Sequence, residues 1–429
     1  ESSIIKEQLL KSLNNLLQIN VPNLPLFNED YETKLIKDTQ ETVYFFYKNG
    51  VRKIDTFFDN FFDYSQLNGY IWKKSILNRS YNKSDNNISV FEKFIKCVCS
   101  TKEENGKVIF NEGKYKSLIS VIGYLLSRYK NVTETIGIVL CDEIISDNPE
   151  GGTGKSLFTL ALSKMRNVTV IDGRFFDSNS QFRFETVDES TEIINIDDCA
   201  KKFSFDKLYH AITGDITVEK KGISRFVIPF KKSPKLCFST NHIFSGTGNS
   251  HERRIFEIEF SSYFNSKHRP IDEFKHKLFD DWNNNEWNRF DDFMVSCVKY
   301  YMSFGIEKYK QVNLEYKKLV ENTSPQIAEY IDNFLEPDTI FCSNDLTDEI
   351  NDKMKMRYSQ TKITQAVHYW CETYHNYYFL KEFDRIEKNT YFVCSTDKTK
   401  TFKDFKNQDN NSKEKTENKN NSKKIYIKV

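Results

Sequence analysis

The run DNPEGGTGKS, residues 147–156, ends in Gly154, Lys155 and Ser156. Backbone N–H groups can wrap a phosphate only where side chains leave the approach open, and Gly151, Gly152 and Gly154 clear it on either side of Thr153. In such a loop Lys155 would reach the β- and γ-phosphates of ATP, and the Ser156 hydroxyl would join the shell of a Mg²⁺ ion. Pro149 stands where phosphate loops usually begin with glycine. That first glycine shapes the turn rather than touching phosphate, and Gly151 with Gly152 can supply the lost freedom. The flanks fit as well. IGIVLC before the loop has the pattern of a strand and SLFTLAL after it that of a helix, whose positive N-terminal end would face the phosphates.

Hydrolysis needs a carboxylate near Mg²⁺ and a group that positions water. EIINIDD supplies both: an apolar strand, Ile193 to Ile196, delivers Asp197 and Asp198 at its C-terminal end, where ligands bind in open parallel sheets. Asp197 would hold the metal shell and Asp198 would polarise the attacking water. A further strand, KLCFST, leads to Asn241, whose amide can bond both a γ-phosphate and the nucleophilic water. HERRIFEIEF then sets Arg253 and Arg254 directly before a strand. An arginine there can donate bidentate hydrogen bonds to a developing phosphoryl charge on a neighbouring subunit, or form an ordinary surface ion pair.

These residues need an α/β frame. Between residues 135 and 262, short apolar runs alternate with helical segments, which implies a largely parallel sheet covered on both faces. We divide the chain into an N-terminal, mainly helical or α+β region (1–114), an ATPase core (115–264), a helical lid or linker (265–322), a winged-helix-like domain (323–396) and a flexible polar tail (397–429). Phe57, Phe58, Phe61 and Phe62 are assigned to the N-terminal core rather than to base stacking. After Pro325, three helical patterns and a strand pair suggest the winged helix. In QTKITQAVHYWCETYH, Ala366, Val367, Trp370 and Cys371 form the buried stripe, leaving Lys362, Gln365 and Glu372 outward.

GGTGKS, IINIDD, KLCFSTNH and ERRIFEIEF, in that order, resemble the Walker A, Walker B, sensor 1 and arginine-finger elements of superfamily 3 helicases. The chain is most similar to the D5-type domains joined to primases in phages, large DNA viruses and plasmids. The resemblance implies an AAA+ core, a homo-oligomeric and usually hexameric ring, and ATP-driven translocation on single-stranded or forked DNA during replication. It assigns Lys155 and Ser156 to phosphate and Mg²⁺, Asp197 and Asp198 to the Walker B acids, Asn241 to the sensor, and Arg254 to the finger, with Arg253 as runner-up. It also implies a pore hairpin between Walker B and sensor 1. ITVEKKGISRFVIPF has that form, with Lys220 and Lys221 at a tip where Gly222 can take a positive φ. Lysines there would grip backbone phosphate without reading sequence.

Composition narrows the rest. Lys+Arg 62 against Asp+Glu 61 gives a formal charge of +1, so any basic surface must be local. Nine dispersed cysteines read as reduced thiols in a cytoplasmic protein of a bacterial or host cell. Cys97 and Cys99 lack partners for a metal site, and His242 is read as structural. No run of about 18 apolar residues argues for a membrane span. The chain starts at Glu1, which leaves room for an upstream domain, and it carries no acidic cluster with Ser and His suited to primer synthesis. A primase, if joined, is therefore expected upstream. Besides a helicase, two classes fit: a DNA-binding initiator or regulator that uses ATP as an assembly switch, and a defence or signalling ATPase that does not unwind. Lys220 and Lys221 on a central hairpin favour the helicase.

Overall fold

The computed structural model describes residues 35–407 apart from 86, 104, 144–150, 201–202, 243–252, 310, 312–315, 317–318 and 321–322. An antiparallel meander comes first: β1 (Val43–Tyr47), β2 (Gly50–Ile54) and β3 (Asp59–Phe62). Helix α1 (Val90–Val98) follows, capped by Ser89, whose side chain accepts the Glu92 N–H at 3.0 Å. Its buried residues Phe91, Phe94, Ile95 and Val98 recur at helical spacing and form one face. A small hairpin, β4 (Ser100–Lys102) and β5 (Val108–Phe110), leads to α2 (Glu112–Leu126).

The centre is a five-stranded sheet of β6 (Gly137–Asp142), β7 (Val168–Asp172), β8 (Ile193–Asp197), β11 (Lys235–Ser239) and β12 (Ile255–Phe260). Every pairing in it is parallel, and the order across the sheet is β12-β6-β11-β8-β7. β11 is buried along its whole length and β6 and β8 up to their last residues, as strands covered on both faces must be. On one face Ile138, Leu140, Ile193 and Cys237 pack with α1, α2 and α3 (Lys155–Ser163). On the other, Val139, Ile194, Ile196 and Phe238 pack with the short α4 (Tyr209–Thr213) and with the antiparallel hairpin β9 (Ile216–Lys220) and β10 (Ile223–Ile228).

The described part of the N-terminal region is built into this core. Val43, Phe45, Tyr47 and Ile54 share one apolar cluster with the helices over the sheet. Asp38 receives Arg128 at 2.8 Å and Arg166 at 3.2 Å, and Arg166 also donates to the Tyr44 carbonyl at 2.9 Å. Beyond the sheet come a short helix, α5 (Pro270–Phe274), and the long α6 (Asn284–Phe304), which joins the same cluster through Phe290, Met294 and Val298. α6 crosses α2 so closely that a Cβ on Gly123 would lie 2.1 Å from the Cys297 carbonyl oxygen. The aromatic assignment needs correcting. Phe57 and Phe58 are 85% and 63% exposed, because Asp55 accepts both of their N–H groups and turns the β2–β3 loop outward, while on β3 Phe61 is exposed and Phe62 half-buried.

The C-terminal unit has its own core of Ile327, Ile331, Leu346, Ile350, Ile363, Val367, Trp370 and Phe392. Its elements run α7 (Pro325–Phe334), β13 (Ile340–Cys342), α8 (Ser343–Met354), α9 (Gln360–Tyr369), β14 (Tyr378–Asp384) and β15 (Asn389–Ser395). The antiparallel sheet has the order β13-β15-β14. Ala366, Val367, Trp370 and Cys371 are buried, and Lys362, Gln365 and Glu372 are exposed. β13 is an addition to the helices and hairpin read from the sequence; at three residues it is too short to alternate. Residues 402–407, which composition gives to the tail, form a helix that buries Phe402 and Phe405 against Val393. The remainder of the expected tail, 408–429, lies outside the described residues. Among the described residues, no helix is long and apolar enough to cross a membrane.

Candidate nucleotide site

Four parallel strands bring their C-terminal ends to one edge of the sheet. Leu140 pairs with Ser239, Phe238 with Ile196, and Asp172 with Asp197, so β6, β11, β8 and β7 end nearly level. The phosphate-loop residues lie beyond β6. Pro149 falls outside the described residues, but Gly151, Gly152 and Gly154 have φ values of 65°, 82° and 106°, a region that favours glycine. Gly154 is constrained in a second way, since a Cβ there would meet the Phe94 ring of α1 at 2.6 Å. It also precedes α3 as its N-cap and offers no side-chain cap. The N–H groups of the first turn of α3 therefore face the loop without a capping side chain.

Lys155 opens α3 and is buried. Its ammonium is ion-paired with Asp142, the last residue of β6, and lies 3.3 Å from the Thr153 hydroxyl. Thr153 in turn donates to Asp142 Oδ1 at 2.6 Å. Ser156, one residue on, is exposed on the first turn.

Asp197 ends β8 and accepts a hydrogen bond from Ser239 Oγ of β11. The same hydroxyl accepts the Asp198 N–H at 2.9 Å. Asp198 adopts a left-handed φ of 56° and is half exposed, with Arg174 Nε 3.7 Å from its carboxylate. Arg174 also holds Asp172 at 2.8 Å, which keeps the Asp172 carboxyl below its ordinary pKa. Asn241 follows β11, and its carbonyl Oδ1 is buried without a hydrogen-bond partner among the described residues. A buried acceptor left so is costly unless a ligand or water satisfies it, so the atom fits a site that closes around a bound group.

Arg254 lies at the opposite edge. Its carbonyl accepts the N–H of Gly137, the first residue of β6, while Asp142 at the far end of that strand pairs with Phe260. At the rise of a parallel strand this separates Arg254 from the Lys155 edge by about 20 Å. The Arg254 guanidinium stacks over the Tyr209 ring at 5.2 Å, and Arg253 is exposed beside it. The β9–β10 hairpin is rooted by Ile216, Val218 and Ile228 in the core. Its tip carries Lys220 and Lys221, with Gly222 at φ 73° and Arg225 exposed on the return strand.

The loop, the acids and the amide named from the sequence thus lie at one edge of the sheet, beside Asp142, Ser239 and Arg174, which the sequence reading did not name; nor did it name Tyr209 beside Arg254. An aspartate closing the strand just upstream of the loop was the available signal for Asp142. His242 makes a backbone hydrogen bond to Thr240 Oγ1 at 3.0 Å. Cys97 and Cys99 lie at the end of α1, where burial pushes the Cys97 thiol up to about 11. Among the described residues no group of three His, Cys, Asp or Glu side chains is arranged to hold a metal.

A family of unknown function, DUF5906, matches residues 148–254, from just before the glycines through Arg254. No curated protein matches the chain in sequence. Among solved structures, the apo A form of the NrS-1 C-terminal region is similar over 81% of this chain and 95% of its own, at 11% identity and a TM-score of 0.36. The JCV helicase, in complex with a thiazolopyridine phenoxyphenyl acetamide, is similar over 63% of this chain and 67% of its own, at 11% identity and a TM-score of 0.26. At these scores neither likeness bears on the chemistry of the site.

Proposed function

We propose that the chain is an ATP-hydrolysing DNA helicase of the superfamily 3 type, with an AAA+ core that works as a ring, most simply a hexamer, on single-stranded or forked DNA. The observation that carries the reading is the division of labour across one sheet. Lys155, Asp197, Asp198 and Asn241 gather at the C-terminal edge, and Arg254 directly precedes β12 at the other.

In this reading the loop N–H groups from Gly151 to Ser156 and the end of α3 hold the phosphates, and Lys155 neutralises the transferred phosphoryl group. Ser156 and Asp197 are the residues that would hold Mg²⁺, which when bound screens phosphate charge. Asp198 takes a proton from the attacking water, and Asn241 orients that water with its buried amide oxygen. Arg254 is too far from its own loop and acts on a neighbour's, in a head-to-tail contact that repeats into a ring. Lys220 and Lys221 contact backbone phosphate in the pore. We read the C-terminal unit, with its three helices and the strand pair β14–β15, as a winged helix, in which α9 would present Lys362 and Gln365 to duplex DNA.

A forked duplex with one labelled strand tests this. Strand separation is expected with ATP and Mg²⁺, and none with a non-hydrolysable analogue or with Lys155→Ala. ATP hydrolysis that depends on Lys155 without any strand separation on forks of either polarity would favour the assembly switch or the non-unwinding ATPase.

A further inference from the structure

Lys155 is already neutralised within the chain. Its ammonium is paired with Asp142, and both side chains are only 9% exposed. The carboxylate oxygen that takes the lysine, Oδ1, also accepts the Thr153 hydroxyl at 2.6 Å. Asp142 therefore binds one cation and one hydroxyl of the phosphate loop, which are the partners a phosphate oxygen would seek there. Its position is fixed by β6, whose register with β12 sets Asp142 against Phe260. The next residue, Glu143, is held by a separate buried ion pair with Lys114 at 2.8 Å, so the end of the strand is anchored from a second direction. Asp197 is engaged elsewhere, by Ser239.

We propose that Asp142 is an internal stand-in for nucleotide phosphate. It holds Lys155 and Thr153 while no nucleotide is bound, and it gives Lys155 up when a triphosphate enters. The inference rests on the ATP-site reading above. Its physical basis is that a buried carboxylate and a triphosphate drawn to the same ammonium repel each other strongly, while a buried ammonium with no anion is itself unfavourable. Binding is then an exchange of partners rather than an addition, and its affinity is lower by the strength of the pair that is broken. The arrangement keeps the empty loop folded and makes nucleotide release easier, a useful property for a machine that cycles.

The test compares wild type, Asp142→Asn and Asp142→Glu for affinity toward Mg²⁺·ADP by calorimetry, with thermal unfolding in parallel. Asparagine keeps the shape and the acceptor for Thr153 but loses the charge. It should bind Mg²⁺·ADP about tenfold more tightly or better, and melt lower than wild type without ligand. Mg²⁺·ADP should raise its melting temperature more than that of wild type, and inorganic phosphate should do the same. Glutamate keeps the charge and should bind within about threefold of wild type. If Asp142→Asn binds no tighter than wild type, while wild type binds and Lys155→Ala does not, the stand-in is overturned and the ATP site survives. If wild type itself fails to bind Mg²⁺·ADP, the ATP reading falls and this inference falls with it. Should Asp142→Asn not fold by itself, saturating Mg²⁺·ADP is expected to restore a cooperative melt, and failure to do so would overturn the proposal.

Discussion

Ser239 of β11 and Asp197 of β8 are joined by a hydrogen bond between neighbouring parallel strands. The hydroxyl donates to the carboxylate and at the same time accepts the Asp198 N–H at 2.9 Å. One side chain from the strand that leads to Asn241 thus fixes both acids of the site. Ser239→Ala should lower ATP turnover by about 10- to 100-fold, the usual effect of removing a group that orients a metal ligand. The loss should shrink as Mg²⁺ is raised, and Ser239→Thr should restore most of it. Turnover of Ser239→Ala that equals wild type at limiting Mg²⁺ would separate Ser239 from the site.

The two acids are assigned different tasks. On the proposed roles, Asp198→Asn should bind ATP within about tenfold of wild type yet hydrolyse it poorly, because Asp197 and Ser156 would still hold the metal while the proposed proton acceptor is gone. Equilibrium binding beside single-turnover hydrolysis measures both. A large loss of binding would mean that the roles of Asp197 and Asp198 are exchanged.

The hairpin tip should behave as an electrostatic grip. Replacing Lys220 and Lys221 with Ala should weaken single-stranded DNA binding and reduce the salt slope of log K by roughly 0.7 for each phosphate that is no longer neutralised. ATP hydrolysis without DNA should survive, since the hairpin is rooted in the core by Ile216, Val218 and Ile228 rather than by its tip. Unchanged affinity and unchanged salt slope would reduce the hairpin to scaffold.

Lys130 gives the fold a pH dependence. Its ammonium is buried, donates to Ser233 Oγ at 2.7 Å and lies 4.7 Å from the Phe230 ring centre. Burial lowers its pKa from 10.5 to about 7. Above that value the folded chain holds the neutral amine while the unfolded chain still binds the proton, so stability rises with pH from about 7 to 10 and is flat below. Lys130→Met should remove this part of the rise. Denaturant midpoints of the two proteins across that range are the check, and parallel curves would contradict it.

The sequence made parts of this molecule legible for physical reasons. Three glycines around Lys155 are a local pattern, and a local loop needs no tertiary knowledge to be read. Ile193 to Asp197 could be read too, since a strand buried on both faces is continuously apolar until it exits. Asp142 could be placed at the end of its strand, but its partner could not, because the pairing appears only once Lys155 folds back onto the end of β6. Phe57 and Phe58 were misleading because an Asx turn at Asp55, not apolar spacing, decides where they point. The N-terminal meander looked separate because its core partners, such as Leu118, Val121 and Phe290, lie far along the chain.

The central claim is an ATP site completed by a neighbouring subunit, and mixing two inactive variants tests it most directly. Arg254→Ala subunits should bind ATP but hydrolyse little, and Lys155→Ala subunits should not turn it over at all. In mixed assemblies some interfaces pair an intact phosphate loop with an intact arginine, so the mixture should recover part of the wild-type ATPase activity. The account predicts activity that rises and then falls as the ratio of the two variants is varied. Mixed assemblies with demonstrated subunit exchange, yet no more active than either variant alone, would contradict it.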